Sequence, residues 1–237
     1  MKERTDKPVM LITGTSRGIG NFLAHYYLKN GFFVVGCSRS TTTIQHDNYY
    51  HFSIDISEES AILQVFTYLR TVLKRLDVLI NNAAINPAIV NATLLPYDTV
   101  QRTFKVNVFG PMLFCREGAK IMSRDKFGRI INLGSMASKH EVSGEALYTS
   151  TKAALNSYTR VLAKEVYKQG ITVNVVAPSV ISTELSEKIN QKALTEVLSR
   201  NAIQEFGKFE DVTNIIDLLL KKESQSITGQ IIFLGGV

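Results

Sequence analysis

The chain has 237 residues, of which 45% are hydrophobic and 20% are charged, so its composition is that of a globular protein and excludes a disordered one. The net charge of +6 suits an anionic ligand, but no basic run exceeds two residues, which argues against a nucleic-acid partner. Two cysteines, Cys37 and Cys115, are too few for a disulfide framework, and we interpret both as buried free thiols in a reducing compartment.

The N-terminus, MKERTDKPVMLITG, is charged and then enters a short strand-like run. It lacks the apolar region of a signal peptide, and no stretch of the chain is long enough to span a bilayer. We therefore expect a soluble, cytoplasmic protein without a membrane partner. The four histidines show no metal-ligand spacing, so we assign them no role and expect no metal site.

Short runs rich in Val and Ile alternate with helix-like segments along the whole chain. Little polar alternation within the runs indicates parallel strands buried on both faces. The runs begin at Val9, Phe32, Tyr50, Asp77, Gly128, Ile171 and Gln230. The helix-like segments are Ile19–Asn30, Glu58–Arg75, Asp98–Arg124, Gly144–Lys168, Glu184–Arg200 and Glu210–Lys222. This pattern predicts an α/β fold with one domain over 1–237, a doubly wound, Rossmann-type parallel sheet of seven strands with helices on both faces.

The stretch LITGTSRGIG follows the first strand and opens a helix. Glycines at such a turn, here Gly14, Gly18 and Gly20, let the backbone approach a pyrophosphate, and the helix N-terminus offers free N–H groups to it. The spacing differs from the G-x-G-x-x-G of the general dinucleotide fingerprint, and a tight turn that starts a helix is the alternative. The position after the first strand favours a dinucleotide cofactor.

The end of the second strand indicates which dinucleotide is bound. NAD sites place an acid about 20 residues after the glycines, yet residues 21–46 contain none. Ser38-Arg39 ends this strand instead, and Arg17 lies within the glycine turn. Two arginines without a carboxylate suit the 2′-phosphate of NADP(H), although both could be solvated surface residues.

Two local features interrupt the alternation of strands and helices. Gly110-Pro111 falls inside a helical stretch and predicts a kink or break near Asn107–Gly110. The segment Arg39–Asp55 leaves little room for a helix between the second and third strands, so we expect a loop there.

Tyr148 and Lys152 lie four residues apart, which places both side chains on one face of a helix. This spacing alone is weak evidence of chemistry, since Tyr148 could be an aromatic residue at the edge of the core. A free tyrosine has a pKa near 10, and lowering it to about 7 takes about 4 kcal/mol. One cation about 4 Å away at an effective dielectric constant of about 20 supplies a similar amount, so Lys152 could activate Tyr148.

From Pro8 to Gly236 the chain resembles the short-chain dehydrogenase/reductase family. Thr13-Gly14-x-x-x-Gly18-x-Gly20 resembles the cofactor turn of that family, and Asn81-Asn82-Ala83-Ala84 resembles its N-N-A-G motif, with Ala84 in place of Gly. VNVVAPS resembles its N-x-x-x-P-G segment, with Ser179 in place of Gly. Asn107, Ser135, Tyr148 and Lys152 match its catalytic tetrad in order and spacing.

The resemblance implies a role for each of these residues. Tyr148 would be the general acid and base, Lys152 would hold the nicotinamide ribose, and Ser135 would donate to the substrate carbonyl. Asn107 would hold a water that links Lys152 to solvent, although it could instead satisfy backbone groups freed by the helix kink, and Ser135 could be an ordinary turn residue. The cofactor-binding residues expected on this basis are Gly14, Ser16, Arg17, Gly18, Ile19, Gly20, Ser38, Arg39, Asp55, Ile56, Asn82, Ala83, Ala84, Tyr148, Lys152, Pro178, Ile181 and Thr183.

Two functions of different classes remain open. The first is an NADPH-dependent ketoreductase, most like the 3-oxoacyl-carrier-protein reductases. Those enzymes dock an acidic carrier on basic residues, and the corresponding patch here would be Lys126, Arg129 and Lys168, with the neutral Gln169 beside them. The substrate could instead be a free sugar or hydroxy-ketone. The second function is a non-catalytic dinucleotide sensor or scaffold, against which the intact tetrad argues.

The resemblance also implies a substrate cap and an oligomer. We expect the segment 181–206 to cover the substrate, with Leu185, Ile189, Leu194 and Leu198 roughly on one helix face. Apolar residues recur along Asp98–Arg124 and Gly144–Lys168 more often than one sheet face requires. We therefore expect a homotetramer, or a homodimer, that pairs through these two helices.

Overall fold

Seven parallel strands form one sheet in a computed structural model, which describes residues 5–87, 89–182, 195 and 197–236. The strands are β1 (Val9–Thr13), β2 (Phe33–Ser38), β3 (Tyr49–Ser53), β4 (Val78–Asn81), β5 (Gly128–Leu133), β6 (Ile171–Ala177) and β7 (Ile231–Phe233). Their order across the sheet is β3-β2-β1-β4-β5-β6-β7. Each lies where the sequence predicts a strand, so the prediction of a seven-stranded parallel sheet is confirmed.

Helices cover both faces of this sheet. They are α1 (Gly18–Lys29), α2 (Glu59–Tyr68), α3 (Tyr97–Phe104), α4 (Gly110–Asp125), α5 (Ala137–His140), α6 (Ala146–Val166) and α7 (Phe209–Leu220). Alternate residues of β1 enter opposite cores: Val9 and Leu11 pack with α2, α4 and α6, whereas Met10 and Ile12 pack with α1 and α7. A strand buried on both sides needs apolar residues at every position, which explains its unbroken apolar run.

The strand order creates the crevice in which a site can form. From β1 the chain moves outward to β2 and β3, and it then returns to β4 on the other side of β1. The connections that leave β1 and β4 therefore diverge, and a gap opens at the carboxyl ends of these two strands. Ligands of open α/β sheets bind at such a switch point.

Both predicted interruptions are confirmed. A π-helical turn, Lys105–Phe109, separates α3 from α4, and Pro111 lies in the first turn of α4. Residues 39–48 contain neither helix nor strand. Cys37 and Cys115 are buried free thiols, as expected.

Some predictions fall outside the described residues. Thr183 and most of the predicted helix Glu184–Arg200 belong to this group, as do Leu185, Ile189 and Leu194 of its apolar face. Of the cap, the structure describes residues 181, 182, 195 and 197–206. Within the described part of the chain, no helix has both the length and the apolar character needed to cross a membrane.

Candidate active site

A cavity of about 690 Å³ occupies the crevice at the carboxyl ends of β1 and β4. One end of the cavity is formed by the glycine turn before α1 and by the ends of β2 and β3, and the other by residues around α5 and the start of α6. Most of the predicted site residues line it, namely Gly14, Ser16, Arg17, Gly18, Ile19, Ser38, Arg39, Asp55, Ile56, Asn82, Ala83, Ala84, Ser135, Tyr148, Lys152, Pro178 and Ile181.

The glycine turn fits a ligand that approaches its backbone closely. Gly14 has φ +77°, and a Cβ atom there would lie 2.8 Å from Asn82 Nδ2. Gly20 does not line the cavity, but a Cβ atom there would collide with the Gly14 carbonyl oxygen, so this residue keeps the turn compact. No side chain caps the first turn of α1, which leaves its N–H groups available for a pyrophosphate.

Hydrogen bonds between β1 and β4 fix the floor of this end. The Thr13 hydroxyl accepts hydrogen bonds from the main-chain N–H groups of Asn82 (3.0 Å) and Ala83 (2.9 Å). The Asn82 side-chain amide donates to the Thr13 carbonyl at 2.8 Å. These bonds hold the two diverging strand ends together beneath the cavity. Thr13 belongs to the motif in the sequence, but its anchoring role becomes visible only in the structure.

The ends of β2 and β3 add charged groups that suit the adenosine part of a dinucleotide. Arg39 is exposed at the cavity edge, and Ser38 donates to the Ser40 carbonyl at 2.8 Å. Burial raises the pKa of Asp55, but hydrogen bonds from Ser57 and the positive charges of Arg39 and Arg102 outweigh it and hold the pKa below its ordinary value. Asp55 is thus an ionised acceptor beside an arginine. The chemistry of this end fits a phosphorylated dinucleotide.

Three of the four predicted catalytic residues meet at the middle of the cavity. Tyr148 lies in the first turn of α6, and Ser135 lies two residues beyond β5. Both side chains line the cavity, and Ser135 lies close enough to Tyr148 to act on its pKa. Lys152 follows one helical turn after Tyr148, with its Nζ atom 5.6 Å from the centre of the Tyr148 ring, and it donates to the Leu133 carbonyl at 2.7 Å. The helical spacing and the end of β5 together place these groups.

Burial controls the ionisation of both groups. It raises the pKa of Tyr148 to about 12, although the nearby Ser135 side chain opposes the rise. It also lowers the pKa of Lys152 to about 8. In the protein chain by itself, desolvation of the phenolate outweighs the effect of neighbouring charge, so Lys152 alone does not bring the pKa of Tyr148 to about 7.

Asn107 lies behind the cavity wall, in the π-helical turn between α3 and α4. Its side-chain oxygen accepts from the Ile85 N–H group at 2.8 Å, and its amide donates to the Ile85 carbonyl at 2.8 Å and to Thr151 Oγ1 at 3.2 Å. The main-chain groups that it satisfies thus belong to the loop after β4 and not to the helix kink. Asn107 fixes this loop against α6.

Sequence reasoning missed the residues at the substrate end. His140 and Glu145 line the cavity, together with Ile85, Asn86, Met136, Val142 and Val197. His140 Nε2 lies 2.7 Å from Asn201 Oδ1, and the Asn201 amide donates to Ser179 Oγ at 2.6 Å. Ile85 and Asn86 follow β4, and the other residues lie on connections after β5 and β6 that carry no recognisable motif. The one signal in the sequence for His140 and Glu145 was their position between two predicted catalytic residues, Ser135 and Tyr148.

One residue of the predicted basic patch is buried. Arg129 is 1% exposed, and its guanidinium donates to the carbonyls of Gly128 (2.9 Å) and Lys221 (3.2 Å). It lies near the start of β5, at the opposite end of this strand from Ser135. Lys126, Lys168 and Gln169 are exposed. Arg129 therefore cannot contact a carrier protein, and including it in a docking patch was wrong.

Comparisons with known proteins agree with this geometry. A sequence profile of the family described as short chain dehydrogenase matches residues 8–194. The 3-oxoacyl-[acyl-carrier-protein] reductase FabG of Rickettsia felis is 32% identical over 95% of this chain and 94% of its own length. The structure of ElxO with NADP bound is 28% identical, with a TM-score of 0.87, and covers 96% of this chain and 97% of its own.

A further solved structure is that of 4-hydroxyisoleucine dehydrogenase complexed with NADH. It is 30% identical, has a TM-score of 0.84, and covers 97% of this chain and 98% of its own. The profile match over most of the chain, the parallel sheet and the cavity with its glycine turn lead to one assignment. The chain belongs to the short-chain dehydrogenase family and is an oxidoreductase that acts on CH–OH groups with a nicotinamide dinucleotide.

Proposed function

We propose that this oxidoreductase is an NADPH-dependent ketoreductase that interconverts a ketone and a secondary alcohol, with Tyr148 as the general acid and base. One observation carries the proposal. Tyr148 shares a cavity with Ser135, with Lys152 and with the glycine turn that fits a pyrophosphate. When bound, the nicotinamide supplies the hydride in reduction and accepts it in oxidation.

Tyr148 and Ser135 act on the oxygen atom of the ketone. Tyr148 gives its proton to this oxygen, and a pKa of about 12 keeps the hydroxyl protonated and ready to donate at neutral pH. Ser135 donates a hydrogen bond to the same oxygen and stabilises the negative charge that develops there.

Lys152 and Asn107 return a proton to Tyr148. The lowered pKa of Lys152, about 8, allows its ammonium group to lose and regain a proton near physiological pH. In this proposal the ammonium also holds the nicotinamide ribose hydroxyls, and Asn107 holds a water that connects Lys152 with solvent. The side-chain oxygen of Asn107 makes one hydrogen bond, to the Ile85 N–H group, and has a second lone pair for this water.

Two arginines and the missing acid support NADPH over NADH. Arg17 and Arg39 line the cofactor end of the cavity, and residues 21–46 contain no carboxylate that would repel a 2′-phosphate. The named complexes do not decide the question, because ElxO was solved with NADP and 4-hydroxyisoleucine dehydrogenase with NADH.

We infer that the substrate is a free small ketone, with a carrier-bound acyl group as the alternative. The names of several relatives support the carrier. Against it, Arg129 is buried and Gln169 is neutral, so Lys126 and Lys168 are the two cations left in the expected docking patch. Two exposed lysines give an acidic carrier little to bind.

We also propose that the protein is a homotetramer or homodimer that pairs through α4 and α6. Val161 on α6 and Phe109 at the start of α4 are each 52% exposed, although both are large and apolar. Apolar side chains on an outer helix face, away from the sheet, are typical of a subunit interface.

Turnover of NADPH with a panel of ketones tests the function. We expect purified protein to oxidise NADPH in the presence of small ketones, and to do so no faster when the ketone is an acetoacetyl group on acyl carrier protein. A carrier-bound substrate that reacts much faster would reverse the choice of substrate. Binding of NADPH without hydride transfer to any ketone or carrier-bound substrate would indicate a sensor or scaffold.

A further inference from the structure

A glutamate that is mostly buried lies at the substrate end of the cavity. Glu145 immediately precedes α6, three residues before Tyr148, and it lines the cavity although it is only 9% exposed. Glutamate is rarely buried to this extent unless it is paired with a cation or hydrogen-bonded. A glutamate at this position is therefore expected to have such a partner.

Within the described part of the chain, the Glu145 carboxylate makes no hydrogen bond and no ion pair. It occupies the N-cap position of α6 without accepting a capping hydrogen bond. Helix stability favours Ser, Thr, Asp or Asn at this position, so capping does not explain the residue. A negative charge does benefit from the helix dipole, but an exposed site would give this benefit without the cost of burial.

None of the described cations that line the cavity forms an ion pair with Glu145. Lys152 is bonded to the Leu133 carbonyl, and Arg17 and Arg39 lie at the cofactor end. His140 is the nearby group whose charge acts on Glu145, but its Nε2 atom is engaged with Asn201. Among the residues that the structure describes, this end of the cavity therefore presents a carboxylate with no opposing cation in hydrogen-bond contact.

Glu145 is close enough to the reacting hydroxyl to influence it. Its negative charge contributes to the raised pKa of Tyr148, and burial raises its own pKa while His140 opposes that rise. A group on the substrate that contacts Glu145 would thus lie within a few bonds of the carbonyl that Tyr148 protonates. Such a group has to be a hydrogen-bond donor, and a positive charge would offset the cost of the buried carboxylate.

We propose that Glu145 makes the enzyme selective for ketones that carry a cationic nitrogen a few bonds from the carbonyl. This selectivity rests on the proposed ketoreductase function. It narrows the substrate class to amino ketones and, in the reverse direction, to the corresponding amino alcohols. In this role Glu145 binds the substrate cation, while Tyr148 and Ser135 act on the oxygen.

Matched ketones of equal shape test this selectivity. Dimethylaminoacetone and methyl isobutyl ketone differ in one position, where a protonated nitrogen replaces a CH group, and their homologues with one more methylene form a second pair. We expect kcat/KM for the cationic ketone to exceed that for the neutral one roughly ten- to hundredfold in at least one pair. Equal values in both pairs would overturn the proposal.

Two glutamine variants show whether Glu145 causes the preference. Glu145→Gln keeps the shape of the side chain. We expect this variant to bring the ratio of kcat/KM for the cationic ketone to kcat/KM for the neutral ketone close to one. The ratio cancels any effect of the lost charge on Tyr148 itself. Glu141→Gln removes an exposed carboxylate four residues away that does not line the cavity, and it should keep the parent ratio. A Glu145→Gln variant that keeps the parent ratio would also overturn the proposal.

Binding measured without turnover separates this inference from the proposed function. Quenching of NADPH fluorescence reports binding of each ketone to the protein–NADPH complex. If no ketone is reduced but the cationic member binds more tightly and loses this advantage in Glu145→Gln, the selectivity stands and the ketoreductase function fails. If both members are reduced and bind equally well, the function stands and the selectivity fails.

Discussion

The two ends of the cavity are built from different parts of the chain. At the cofactor end, main-chain groups form most of the site. The Thr13 hydroxyl accepts hydrogen bonds from the amides of Asn82 and Ala83, and the glycine turn exposes the N-terminus of α1. At the substrate end, the wall consists of side chains such as His140 and Glu145, on connections between regular elements.

This difference determines what a substitution at each end can change. Main-chain amides are present whatever the side chains are. The cofactor end therefore depends on a few glycines and on two polar side chains that hold the main chain in position, and these residues form a sequence motif. The substrate end depends on the size and charge of each side chain, so its chemistry can vary while the fold and the cofactor stay the same. Substitutions at the cofactor end should change which dinucleotide binds. Substitutions at the substrate end should change which ketone reacts.

The largest effect is expected where the two ends meet. Tyr148→Phe keeps the ring and removes the hydroxyl, so turnover per folded molecule should fall by roughly 10² to 10⁴ while NADPH still binds. Steady-state kinetics and NADPH titration measure the two quantities. Tyr167→Phe, at a position 48% exposed, serves as the control and should be fully active. If Tyr148→Phe retains most of its activity, the hydroxyl is not the proton donor.

Lys152 should make stability depend on pH in a predictable direction. Its pKa is about 8 in the folded protein, against 10.5 for an ordinary lysine, so the unfolded chain binds more protons between these values. Stability therefore rises with pH across this interval, by about 3 kcal/mol for this group. Urea unfolding measures this effect. The free energy of unfolding of the parent, relative to that of Lys152→Met, should rise by this amount as the pH increases.

The exposed Lys164 on the same helix provides the control for this measurement. The free energy of unfolding of Lys164→Met should differ from that of the parent by an amount that stays constant over the same pH interval. If the stabilities of the parent and of Lys152→Met change with pH in parallel, burial does not destabilise the charged form of Lys152. Lys152→Met should also weaken cofactor binding, because Lys152 is proposed to hold the ribose.

Arg39→Ala tests the cofactor end alone. If the guanidinium binds the 2′-phosphate, NADPH affinity should fall roughly ten- to hundredfold while NADH affinity changes little. The preference between cationic and neutral ketones should not change, because Arg39 and Glu145 line opposite ends of the cavity. Titration of parent and variant with both cofactors gives the answer. A parent protein that binds NADH as tightly as NADPH would contradict the assignment.

The sequence predicted those features that depend on local pattern. Short runs, most of them rich in Val and Ile, located all seven strands, Gly110-Pro111 located the kink, and the short segment after Arg39 predicted a loop. The motif residues around Gly14 and Tyr148 were brought to one cavity, because parallel strands all end at the same edge of the sheet.

Features that depend on distant contacts were not predictable in this way. Arg129 is an ordinary charged residue in the sequence, but its guanidinium bonds a carbonyl 92 residues away. The pKa of Tyr148 depends on how deeply the fold buries it, which the spacing to Lys152 does not show. Glu145 and His140 belong to no motif, and it is the packing of α5 and α6 around the cavity that gives them a place in the site.

The smallest effect on chemistry is expected at the outer face of α6, which belongs to neither end of the cavity. Val161→Glu places a charge on the face that we propose pairs with another subunit, and burying an unpaired carboxylate there would be costly. Sedimentation at micromolar concentration should show a tetramer or dimer for the parent and smaller species for the variant. Turnover per chain and the preference between ketones should stay as in the parent, because Val161 does not line the cavity. A parent that sediments as a monomer, or a variant that associates as the parent does, would show that this face is not an interface.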